Sequence, residues 1–252
     1  MATEYYLSFN GYGYFSEGTQ PELSRHALVS SNYTYVPEGT SIEIPFYTED
    51  DIEIVYTRNG SQTTVDTASD YDQTAASSVK YVTFQPNTNN TPYDIVVYND
   101  GQSSILKTIT LQPVCEPKYT PIQCYFVNKF GVIQQMYFFK ATNELLNVKD
   151  DSFKRNIITS SATYSTEKSQ FQRFNIQGQT NISLNTGYVN EDFNKTIEEL
   201  FLSENIWLVW ESNKLAAIPR TKSFRYRTSL NDKLINYTIS FDFSFYTINS
   251  VR

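Results

Sequence analysis

The stretch Asn236-Tyr237-Thr238-Ile239-Ser240-Phe241-Asp242-Phe243-Ser244-Phe245 alternates a large apolar side chain with a small or polar one at every step. A period of two puts all its apolar members on one face of a pleated strand and its polar members on the other, which a helix of 3.6 residues per turn cannot do. The pattern predicts a strand with one face committed to a core. Continued to Ile248 it spans roughly 40 Å at about 3.3 Å per residue, well beyond the usual strand. Phe224-Arg225-Tyr226-Arg227 precedes it with the same alternation across Ser229-Leu230-Asn231-Asp232, so the two runs are expected to pair as a long C-terminal β-hairpin. In that register Phe224 and Tyr226 share the core face with Tyr237 and Ile239, while Arg225 and Arg227 point the other way.

A helix must cover such a face, and one segment has the period for it. Phe193, Ile197, Leu200 and Phe201 recur at helical spacing behind Asn190 as N-cap, with Glu191 and Asp192 in the first turn where they complement the helix dipole. This predicts a helix over about residues 190–204. Around it, Ile122–Asn128 and Gln134–Lys140 read as strands joined at Lys129-Phe130-Gly131, Ile206–Trp210 as a short strand, and Asn156–Ser165 and Gln170–Leu184 continue the β pattern.

Upstream, short apolar runs alternate with polar turn clusters. Tyr5–Phe9, Ala27–Tyr35, Ser41–Tyr47, Ile52–Arg58, Val79–Phe84, Tyr93–Tyr98 and Ile105–Leu111 are the expected strands. Asn59-Gly60 and Asn99-Asp100-Gly101 supply the positive φ angles that tight hairpins need. So many short strands in about 110 residues predict an immunoglobulin-like sandwich, although the Cys…Trp…Cys signature of antibody domains is missing. Three prolines, Pro113, Pro117 and Pro121, mark an extended connector. The expected fold class is therefore mainly β, in two parts: residues 1–114 as the immunoglobulin-like sandwich and residues 115–252 as a β-rich assembly domain with one helix.

The 252 residues include 20 Tyr and 17 Phe, a composition suited to strands. A net charge of −7 repels phosphate backbones, so no nucleic-acid readout is expected. The opening Met1-Ala2-Thr3-Glu4-Tyr5-Tyr6 lacks the features of a signal peptide and no run reaches 18 apolar residues, so neither membrane nor secretion is expected. Cys115 and Cys124 form no disulfide framework and read as free or buried thiols.

Chemistry finds little footing. His26 is the single histidine; no nucleophile elbow or Cys–His grouping accompanies it, and two-histidine metal sites are excluded. Glu49-Asp50-Asp51 with Glu53 lacks the calcium-loop pattern and reads as a solvated turn. Gly11-Tyr12-Gly13 is too short for a dinucleotide fingerprint and reads as a turn. Trp207 and Trp210 are expected in the core. No enzyme activity, metal or cofactor is expected.

The segment CEPKYTP at residues 115–121, FVNKFG at 126–131 and INYTISFDFSFYTINSVR at 235–252 resemble virion structural proteins of tailed bacteriophages that infect Bacteroidetes, the crAss-like phages included. The resemblance covers residues 115–140 and about 185–252. It implies a subunit repeated in a closed ring at the neck or tail, a head-to-tail connector assembled in the host cytoplasm, with copies of itself and other virion proteins (portal, tail or ring proteins) as partners. A baseplate or fibre-attachment protein, or a carbohydrate-binding module on the virion surface, are the competing readings. Arg225, Arg227 and Arg252 are the candidate assembly contacts, since arginines beside small polar groups can pair with an acidic neighbour; a merely solvated face is the alternative. The closing Ile248-Asn249-Ser250-Val251-Arg252 is expected to be tied down at a contact.

Overall fold

The computed structural model describes residues 10–18, 27–48, 52–66, 78–116, 118–223, 225–226 and 235–248. Within them the chain is mainly β, with one helical segment of 12 residues. Tyr5–Phe9, His26, Glu49–Asp51, Phe224, Arg227 and Arg252 lie outside the described residues.

In the first half, β1 (Tyr33–Pro37), β3 (Ile52–Arg58), β4 (Ser61–Asp66), β6 (Tyr93–Asn99) and β7 (Ile105–Val114) form a five-stranded sheet in the order β1-β7-β6-β3-β4. Its pairs are antiparallel except β1 with β7. A second sheet pairs β2 (Ile42–Thr48) with β5 (Ser78–Phe84). Alternation explains the layering, because Ile52, Ile54, Ile95, Val97, Ile109 and Leu111 from one sheet are buried with Ile42, Ile44, Phe46 and Phe84 from the other. Asn59 and Gly60 turn β3 into β4 at φ +51° and +79°, the signs a two-residue hairpin demands.

The expected strand over Ala27–Tyr35 is shorter. Ala27 makes a single bridge to Phe46, and only Tyr33 onward joins the sheet. The reason is local: Ser30, Ser31 and Asn32 hydrogen-bond to side chains of the second half instead of to a ladder. The proline connector also starts later than expected. β7 runs through Pro113 to Val114, where β1 pairs with it but the ladder to β6 has ended at Leu111, so the missing N–H is not needed on that side.

The second half is a seven-stranded sheet. It comprises β8 (Ile122–Val127), β9 (Ile133–Phe138), β10 (Asn143–Lys154), β11 (Phe171–Asn185), β12 (Ile206–Trp210), β13 (Asn213–Pro219) and β14 (Thr238–Phe243). Their order is β10-β11-β14-β13-β12-β8-β9, and every pair is antiparallel. The β8–β9 turn meets the chain near its start: Gly131 has φ +77°, and a Cβ there would lie 2.7 Å from the Asn10 carbonyl carbon, so only glycine fits.

Tyr237, Ile239, Phe241 and Phe243 are buried, as their alternation requires. Among the described residues no terminal hairpin is present. β14 ends at Phe243, with β11 along one edge and β13 along the other over Phe241–Phe243. Arg225 and Tyr226 are exposed and in no strand.

The helix stands where its period placed it, as a 3₁₀ turn at Glu191–Phe193 running into α1 (Asn194–Leu202). Phe193, Ile197 and Leu200 are buried and Phe201 packs on the same core. Asn190 is at the N-cap, but its side chain makes no cap bond. The core is continuous across Val114: Val36, Ile42 and Ile44 pack in one cluster with Met136, Tyr137 and Phe138. Tyr137 donates to the Ser41 carbonyl at 2.6 Å, one of several bonds that fasten β9 to the first half.

Candidate functional site

The sequence leaves one element without a layer to pack on. β10 and β11 pair from Asn143↔Ser183 to Lys154↔Phe171, but β14 reaches only as far as Asn181 along β11. Past it the Thr247 amide still donates to the Gly178 carbonyl at 2.7 Å, and from Lys149 outward the hairpin is a two-stranded ribbon about 20 Å long, taking about 3.4 Å per residue. No residue from Asn143 to Ile176 is buried.

Its composition is not that of a solvated loop. On the face that carries buried Leu184 and Ile182 at the root, the next positions outward include Leu146, Val148 and Ile176, which are 52%, 47% and 43% exposed. The core face of the sheet thus continues into solvent with its apolar side chains in place. Farther out, past an irregularity between Lys149 and Asp151, Phe153 and Phe174 pack edge to face with ring centroids 5.7 Å apart. Arg173 pairs with Asp150 at 2.7 Å and Asn175 donates to Asp151 at 3.0 Å, holding the ribbon through the irregularity. The tip is ordered by its own bonds: Arg155 donates to the Ser169 carbonyl and to Gln172, and Thr159 bonds to Thr163.

The expected β segment Gln170–Leu184 is β11 of this arm, but sequence reasoning missed β10 for a physical reason. Leu145 and Leu146 are adjacent and Lys149-Asp150-Asp151 follow, so β10 shows no period of two when both faces are exposed. The expected strand over residues 156–165 is the loop at the tip instead. A two-stranded ribbon is marginal in water, and unburied apolar side chains together with an unpaired outer edge are features of a surface that other chains cover.

A second polar assembly lies at the junction of the two halves. Glu199, on the helix and only 2% exposed, accepts hydrogen bonds from Ser30 Oγ at 2.7 Å and Lys129 N at 3.1 Å. Burial raises its carboxyl above the ordinary range, against those bonds. Asn128 donates to the Leu28 carbonyl at 2.8 Å and to Gln134 at 3.0 Å. Lys107 donates to the carbonyls of Ala27 and Val29 at 3.1 and 3.3 Å, and burial pushes its ammonium down to about 8. Burial works against ionisation of Asp192, yet bonds from Asn32 N and Ser31 and the nearby Lys195 hold its carboxyl below the usual range. These groups join the two halves of the chain through hydrogen bonds.

Of the predicted contacts, Arg225 is exposed and belongs to no strand, and the structure does not bring it into a hairpin face. Trp210 packs on the core, but Trp207 faces outward, where Lys214 Nζ lies 5.0 Å from its ring and 3.9 Å from that of Tyr125. Cys115 is exposed and Cys124 buried, both free. A cleft of about 400 Å³ beside β10, β11 and β14 is lined by Tyr119, Tyr188, Asn143, Asn185 and Asn236 among others. Compared with known proteins, the chain matches no family model, no curated protein and no solved structure.

Proposed function

We propose that the chain is a structural subunit of a bacteriophage virion, a ring-forming neck or tail protein that acts through protein–protein contacts and performs no catalysis. The observation that carries the reading is the β10–β11 arm, whose apolar side chains Leu146, Val148, Phe153, Phe174 and Ile176 are each about half exposed among the described residues. The resemblance of residues 115–131 and 235–252 to such virion proteins supplies the setting, assembly in the host cytoplasm beside portal, tail or other ring proteins.

The first half supports the immunoglobulin-like part of the reading. β3, β4, β6 and β7 are ordered as the C, C′, F and G strands of such a sandwich, with β2 and β5 opposite. Tyr93 opens β6 and donates through its hydroxyl to the Gln85 carbonyl at 2.8 Å, the geometry of a tyrosine corner. Ile95 stands two residues on, where antibody domains carry the second cysteine, and it is fully buried.

The test replaces Val148–Gly178, which are directly opposed in the ladder, by an Asn-Gly turn. The shortened chain should fold with an unchanged melting profile yet form no rings under electron microscopy in conditions where the full chain does. Rings formed equally well without the arm would defeat the reading. A carbohydrate-binding module is the second reading, favoured by the tyrosines and asparagine amides around the 400 Å³ cleft. Binding to a glycan array, lost on Tyr188→Ala, would support it.

A further inference from the structure

The charges of the chain are unevenly divided. Residues 1–114 hold 4 basic and 14 acidic side chains, a net −10, and residues 115–252 hold 16 and 13, a net +3, which together restore the −7 of the whole. The arm from Leu145 to Ile176 follows its half, with five basic residues (Lys149, Lys154, Arg155, Lys168, Arg173) against three acidic ones (Asp150, Asp151, Glu167). It is an apolar, net positive ribbon on an acidic protein.

The first half offers a matching face. In the five-stranded sheet the inward positions of β3, β6 and β7 form the core. The register puts Glu53 with Tyr98, Val55 with Val96, Val96 with Thr108 and Asp94 with Thr110 on the opposite, outward side. These outward positions carry two carboxylates, apolar and aromatic side chains, and no basic residue; Lys107, the one lysine of these strands, is turned inward to the Ala27 and Val29 carbonyls.

We infer that the arm of one copy lies on this outward face of the first half of the next copy, around Glu53, Asp94, Val96 and Tyr98. The inference rests on the assembly reading above and names the partner surface. Arm against arm sets +2 against +2, whereas arm against sandwich sets +2 against −10, so the charges select a head-to-tail contact over a self-complementary one. A head-to-tail contact repeats from copy to copy and closes into a ring when the rotation permits.

Sedimentation of the full chain and three variants tests this. One variant reverses the arm (Lys149→Glu, Lys154→Glu, Lys168→Glu), one reverses the face (Glu53→Lys, Asp94→Lys), and one carries all five changes. The wild-type chain should form complexes larger than dimers that weaken as salt rises. Each reversed variant alone should be monomeric with an unchanged melting temperature. Their equimolar mixture should regain large complexes, in which intact arm on intact face alternates with reversed arm on reversed face. The five-fold variant should regain large complexes. If the face-reversed chain assembles as well as wild type while the arm-reversed chain does not, the proposed surface is wrong and the assembly reading stands. A wild-type chain that stays monomeric throughout removes that reading, and this proposal with it.

Discussion

The Ser30 hydroxyl donates to the Glu199 carboxylate at 2.7 Å, joining the loop before β1 to the helix across 169 residues of sequence. Glu199 also accepts from the Lys129 amide, so one buried carboxylate ties the first half, the β8–β9 turn and the helix together. Replacing it with Ala should destabilise the chain by about 2–3 kcal/mol, because two buried donors lose a charged acceptor. Glu199→Gln, which keeps an acceptor oxygen, should recover more than half of that loss in urea unfolding. Equal losses in the two variants would show that the bonds are not the source.

Lys107 gives the chain a pH dependence of known sign. Burial lowers its ammonium to about 8 from the ordinary 10.5. Between those values the unfolded chain holds the proton that the folded chain has released, so stability rises with pH across that window; below about 8 the penalty is present in full. The urea midpoint should therefore increase from pH 7.5 to 9.5, and the increase should shrink in Lys107→Met. The same increase in the Met variant would assign it to another group.

Tyr93→Phe removes one hydroxyl and leaves the ring among Tyr56 and its neighbours. The lost bond to the Gln85 carbonyl should lower stability by about 1 kcal/mol. A variant within about 0.3 kcal/mol of wild type would mean that water replaces the hydroxyl there without loss.

Phe153→Asp with Phe174→Asp should have the opposite profile. Both rings are about half exposed, so the monomer should change by about 0.5 kcal/mol or less per site, while self-association weakens tenfold or more. Denaturation and sedimentation on one preparation separate the two effects, and unchanged association would take the aromatic pair out of the contact.

What the sequence determined by itself is what depends on neighbours along the chain. The alternation at Tyr237–Phe243 sets a strand with one buried face, Asn59-Gly60 sets a hairpin, and Phe193, Ile197 and Leu200 set a helix face, because each signal lies within a few residues and follows from backbone geometry. Tertiary structure alone decided the partners. β14 pairs with β11 and β13, and Arg225, in no strand, presents no hairpin face among the described residues. Glu199 is buried, and Lys107 half-buried, only because groups from distant segments meet them. β10 was illegible for the converse reason: an element with solvent on both faces is under no pressure to alternate, so its apolar side chains acquire meaning only once the fold shows them half exposed among the described residues.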